Sequence, residues 1–138
     1  MRQAVHHLVV ETRGKGLTEI TRPIARWLAD QGIATGILTV FCRHTSASLI
    51  IQENADPDVR RDLEAYFEGI APESGSYLHQ TEGADDMPAH IRAALSETQL
   101  AIPVEAGAMT LGTWRGIYLF EHRRAPHRRE VVLHLIGE

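Results

Sequence analysis

The stretch LAIPVEAGAMTLGTWRGIYLFEHRRAPHRREVVLHLI, residues 100–136, decides the fold. Branched and aromatic residues gather at Leu100–Val104, Ala108–Leu111, Ile117–His122 and Val131–Ile136, separated by glycine-containing or polar turns, so four strands follow one another without an intervening helix. Working back toward the amino terminus, the pattern mixes. Alternation over Ala4–Glu11 predicts a strand, and a Gly14-Lys15-Gly16 turn precedes a helix capped by Thr21 and stopped at Gln31 by Gly32. Ile24, Trp27 and Leu28 recur there at helical spacing, which reads Trp27 as core. Strands are predicted over Gly36–Arg43 and Ser48–Gln52. Asp56-Pro57 opens a helix to about Gly69 that turns Val59, Leu63, Tyr66 and Phe67 inward, and a long loop over Ala71–Gly83 leads to a third helix. With no strict β-α-β alternation and no Gly-rich dinucleotide fingerprint, the class is α+β: a single compact domain over residues 1–138, with largely antiparallel sheets and about three helices.

Composition narrows the function classes. A chain of 138 residues, 43% hydrophobic and 23% charged, suffices for one core. The apolar run Ile37–Cys42 is too short to span a bilayer, and the start of the chain lacks a secretory signal, so a cytoplasmic location without membrane contact is expected. Cys42 is the single cysteine and has no partner for an internal disulfide. The net charge of -4 argues against broad nucleic-acid binding.

The densest chemistry lies in Asp85-Asp86-Met87-Pro88-Ala89-His90. If Asp86 caps the third helix, Pro88 falls in its first turn and His90 lies one turn above Asp86 on the same face. Two carboxylates and an imidazole then converge, with the helix dipole disfavouring protonation of His90. His44-Thr45-Ser46-Ala47-Ser48 follows a strong strand and suits phosphate oxygens, with Arg43 beside it. Glu53 and Asn54 are ligand candidates at the next strand-to-helix junction, where Asp56 and Asp58 are accounted for as helix-start residues. Gly112-Thr113-Trp114-Arg115-Gly116 sets a stacking face and a guanidinium between two glycines. Of the basic residues 122–129, Arg123 is the better site candidate, being nearest Glu121 and the strand.

In order, His44-Thr-Ser-Ala-Ser, Glu53-Asn54-Ala-Asp56-Pro57, Asp85-Asp86-Met-Pro-Ala-His90 and Gly112-Thr-Trp114 resemble the signatures of the YjbQ family, formerly an uncharacterised protein family. The resemblance spans nearly the whole chain and departs at Arg115, where the family usually carries glutamine. It implies a homotrimer with the motif residues near subunit boundaries, and an activity like that of a secondary thiamine-phosphate synthase. That reaction joins a pyrimidine diphosphate to a thiazole phosphate and releases diphosphate. On this reading Asp85 and Asp86 hold Mg²⁺, Thr45, Ser46, Asn54, Arg115 and Arg123 contact a small phosphorylated molecule, Trp114 stacks on the pyrimidine, and His44, Glu53 and His90 serve catalysis. Two alternatives stand beside it. His44, His79 and His90 with a nearby carboxylate could bind a transition metal such as zinc in a metal-dependent hydrolase, or the trimer could bind a phosphorylated ligand without catalysis.

Overall fold

The computed structural model describes residues 1–138. Eight strands, β1 (Arg2–Glu11), β2 (Gly16–Glu19), β3 (Gly36–Cys42), β4 (Ala47–Glu53), β5 (Gln99–Glu105), β6 (Ala108–Met109), β7 (Arg115–Glu121) and β8 (Arg128–Gly137), combine with helices α1 (Thr21–Asp30), α2 (Pro57–Ile70) and α3 (Asp86–Leu95). All strand pairings are antiparallel, in a five-stranded sheet of order β1-β8-β3-β5-β6 and a three-stranded sheet of order β2-β7-β4. This is the α+β architecture expected from the run of C-terminal strands.

The alternation in β8 has a direct cause. Val131, Leu133 and Leu135 point into the core and are fully buried, each contributing roughly 1.5–3 kcal/mol, while Val132, His134 and Ile136 occupy the other face. The core joins both sheets through Leu38, Val40, Leu49, Ile117 and Leu119, and α1 closes it with Ile24 and Leu28. Trp27 packs against this cluster as expected, with its ring stacked on His6. β7 loses its alternation because both its faces are covered: Ile117 and Leu119 face the main core, and Tyr118 and Phe120 meet Leu17, Leu63 and Phe67. Phe67 from α2 sets its edge on Phe120 at a centroid distance of 5.0 Å.

The helix starts differ in instructive ways. Asp56 caps α2 as expected, accepting the Asp58 N–H at 2.9 Å, with Pro57 at the first position. Tyr66, expected inward, is 64% exposed, because α2 is only half-buried and its inner stripe is filled by Leu63 and Phe67. Thr21 does not cap α1. It is the first helical residue, and its hydroxyl donates to Glu19 and accepts the Ile117 N–H, tying the helix to β7. The strand β2 before it went unpredicted. Asp86 likewise is the first residue of α3 and not its cap, and no side chain caps that helix. Both aspartates are thereby available sideways. No helix is long and apolar enough to cross a membrane.

Candidate functional site

Asp86 is the centre of the strongest constellation. Its side chain is 3% exposed, with Oδ2 2.6 Å from His79 Nε2 and 3.3 Å from His90 Nε2. Pro88 in the first turn and the four-residue spacing put His90 on the Asp86 face, as the sequence indicated. His79 arrives from the loop between α2 and α3, and Glu82 from the same loop places Oε2 3.5 Å from His79 Nε2. One ligand atom from each of His79, Glu82, Asp86 and His90 lies within 4.8 Å of the others. Burial opposes ionisation of Asp86, but the His79 hydrogen bond and the Arg123 charge outweigh it and hold the carboxyl below its usual range.

Asp85 has a different task from the one expected. It is buried, neither solvated nor turned toward the histidines, and Oδ2 accepts from Arg123 Nε at 3.0 Å and from the Arg124 N–H at 2.9 Å. Those bonds overcome the burial that would raise its pKa, and it falls below the usual range. Asp85 and Asp86, expected together to hold Mg²⁺, are bridged by the Arg123 guanidinium, which bonds both carboxylates. Arg123, expected to grip phosphate, spends its donors on Asp85, on Asp86 Oδ1 at 2.7 Å and on the Glu82 carbonyl at 2.8 Å.

A cleft of about 410 Å³ opens beside this cluster, lined by Arg43, His44, Thr45 and His90 together with Cys42 and residues of α3. His44 Nε2 accepts the Glu130 N–H at 2.8 Å, so its proton sits on Nδ1. Burial first and the Arg129 charge second lower its pKa, keeping the imidazole neutral as a hydrogen-bond donor. Arg43, half-exposed, shares Glu130 with His7. Ser46 is committed elsewhere, its Oγ accepting from Arg129 at 2.9 Å and its carbonyl from the His122 N–H.

Beneath the cleft lies a buried polar network that the sequence did not disclose. Arg129 binds both carboxylate oxygens of Glu121, which also accepts from Thr12 and from the N–H groups of His122 and Arg123. Ser96 donates to the Arg92 carbonyl, so the Ser48 hydroxyl must donate to Ser96 and accept from His122 Nε2 at 2.8 Å. That polarity is opposite to what a serine nucleophile requires, since His122 has no free nitrogen toward Ser48 with which to take its proton. Burial, and then the Arg92 charge, lower the His122 pKa to about 3, so the ring is neutral. Its Nδ1 and Arg92 Nε are buried without partners.

Glu53, Asn54, Trp114 and Arg115 lie at the opposite end of the three-stranded sheet. β4 carries Ala47 next to His44 and Glu53 at its far end, and six strand steps separate them by about 20 Å. There Asn54 donates to Glu19 at 3.0 Å and its N–H binds the Trp114 carbonyl. A Cβ on Gly116 would come within 2.4 Å of Glu19 Oε2, so a side chain there would displace the Glu19 carboxylate from its place beside Asn54. Trp114 is 64% exposed. Within one subunit the four motifs form two groups, not one pocket.

The comparisons with known proteins agree across the chain. A family model described as UPF0047 protein YjbQ-like matches residues 6–138. A UPF0047 protein of Synechocystis is 54% identical, covering 99% of this chain and 94% of its own length. The UPF0047 protein YjbQ of Escherichia coli O157:H7 is 42% identical, covering 95% and 96% respectively. The crystal structure of an uncharacterised YjbQ/UPF0047 family protein of Clostridium acetobutylicum superposes with a TM-score of 0.88 at 36% identity, over 95% of this chain and 99% of that one.

Proposed function

The chain belongs to the UPF0047 YjbQ-like family, and on that premise we propose that it is a metal-dependent enzyme acting on a small phosphorylated molecule. One observation carries the reading: two imidazoles and two carboxylates converge within 4.8 Å, and one of them, His90, also lines the cleft of His44 and Thr45. Two nitrogen donors favour a transition metal such as zinc over Mg²⁺, which prefers an all-oxygen shell. The two loop members of the set, His79 and Glu82, are exposed, while Asp86 is buried. Bound there, such an ion would supply Lewis acidity toward a phosphoryl oxygen.

The protein's own groups define the rest. His44 offers its Nδ1 proton and Thr45 its hydroxyl to phosphate oxygens, and Arg43 adds positive potential at the rim. The family resemblance favours thiamine-phosphate synthesis as the specific reaction, in which these donors would stabilise the departing diphosphate. Product formation from the pyrimidine diphosphate and the thiazole phosphate should stop on chelation, return with zinc, and be absent in Asp86→Ala. Turnover unaffected by chelation or by Asp86→Ala would reject the metal-dependent reading. Stoichiometric binding of both phosphates without product would favour a non-catalytic module.

We also propose the homotrimer. The outer face of the five-stranded sheet carries exposed Val5, Val9, Ile37 and Phe41, an apolar set that antiparallel sheets ordinarily replace with polar residues when water covers them. A threefold ring joins unlike patches of neighbouring subunits, so it could bring the Trp114 end of one copy to the cleft of the next. Light scattering should give three times the 15.4 kDa subunit mass; a monomer at micromolar concentration would reject it.

A further inference from the structure

Resting on the metal reading above, we propose that Arg123 is the positioning residue of the cluster, setting both its carboxylates in place from outside. It stands at the end of β7, where its own N–H and that of His122 are fixed by Glu121 Oε2 at 3.1 and 3.0 Å. Glu121 is in turn locked by Arg129 and Thr12, so the backbone that launches Arg123 belongs to the most buried polar network of the fold. From that base the guanidinium reaches three separate points. Nη1 holds Asp86 Oδ1 at 2.7 Å, which leaves Oδ2 turned to His79 and His90. Nη2 holds the Glu82 carbonyl at 2.8 Å, fixing the loop that presents both Glu82 and His79. Nε holds Asp85 Oδ2 at 3.0 Å, which keeps the guanidinium plane from swinging toward the ligands.

Charge and geometry make opposite predictions for this residue. As a nearby cation Arg123 should weaken metal binding, whereas as an outer-shell clamp it should strengthen it by holding ligands in register. Only the fork of a guanidinium can engage three acceptors that lie in different directions, so lysine would keep the charge and lose the clamp. Arg123→Lys and Arg123→Gln can therefore be compared with wild type by chelator competition for Zn²⁺ and by the visible absorption of the Co²⁺-loaded proteins, after circular dichroism has established folding. Both variants are expected to bind Zn²⁺ about 10- to 100-fold more weakly, with an altered Co²⁺ band. Wild-type affinity and spectrum in folded Arg123→Lys would overturn the proposal, as would tighter binding in Arg123→Gln. Should Arg123→Gln fail to fold, Arg123→Lys alone decides. A wild-type protein that takes up neither ion would overturn the metal reading and this inference together; undiminished binding in both folded variants overturns only the latter.

Discussion

The two ends of the three-stranded sheet are built on opposite plans. At the His44 end, ions are buried and each is held by several others: Asp85, Asp86, Glu121, Arg123 and Arg129 form one connected set, and two histidines complete its outer edge. At the Trp114 end, Glu53, Asn54 and Arg115 stand on the surface or near it, with the Asn54 side chain bonded to Glu19, and the tryptophan ring meets solvent. The first end is preorganised by its own subunit. The second lies open to solvent, and the difference teaches that motifs grouped in a family signature need not be grouped in the chain's own fold.

Breaking the organised end should cost most in stability. Arg129→Met leaves Glu121, fully buried, without its main counter-ion, and a loss of about 3–5 kcal/mol is expected by urea denaturation. A loss below about 1 kcal/mol would show that the network is not what fixes this end. The next effect is a pH dependence. The folded His122 pKa lies at about 3, below its unfolded value near 6.5, so in that window the unfolded chain binds a proton that the native one refuses. Stability is full above about pH 6.5 and falls as the pH drops toward 3. His44, also lowered, adds to the fall with the same sign, whereas Asp85, Asp86 and Glu121, all lowered, contribute only below about pH 4.5. Between pH 6.5 and 4.5 wild type should therefore lose roughly 2–3 kcal/mol through His122, and His122→Gln should lose clearly less. Identical slopes would contradict a neutral, buried His122.

These sites also mark where the sequence stops being legible. The strands of residues 100–136, the Asp56 cap and the Asp86–His90 spacing follow from local pattern, because each depends on residues within one turn or one strand. Thr21 misleads because its hydroxyl is engaged elsewhere, donating to Glu19 two residues back and accepting the distant Ile117 N–H. β2 is four residues with no alternation to display. The partnership of Arg123 with Asp85 and Asp86 spans 37 or more positions, and Glu82 lies in a loop without periodicity, so neither could be weighed. The Ser48–His122 pair and the Glu121–Arg129 pair likewise become visible only when β4, β7 and β8 are set side by side.

Asp86→Ala sharpens the comparison from the side of the ligands. It removes the group that both histidines address, and metal affinity should fall at least about 100-fold, equivalent to about 2.7 kcal/mol. The smallest effect belongs to the other end. Trp114→Ala should change subunit stability by no more than about 0.5 kcal/mol, because the ring is exposed, while lowering the activity of the assembled protein. If that activity depends on a neighbour's Trp114, mixing Asp86→Ala with Trp114→Ala subunits should restore part of it; no restoration after subunit exchange would confine each site to its own chain.

The most direct test of the metal cluster is anomalous diffraction at the zinc edge from crystals equilibrated with Zn²⁺. The account predicts a peak within bonding distance, about 2.0–2.2 Å, of His79, Asp86 and His90. No peak there at saturating zinc, with Asp86 still bonded to both imidazoles, would contradict it.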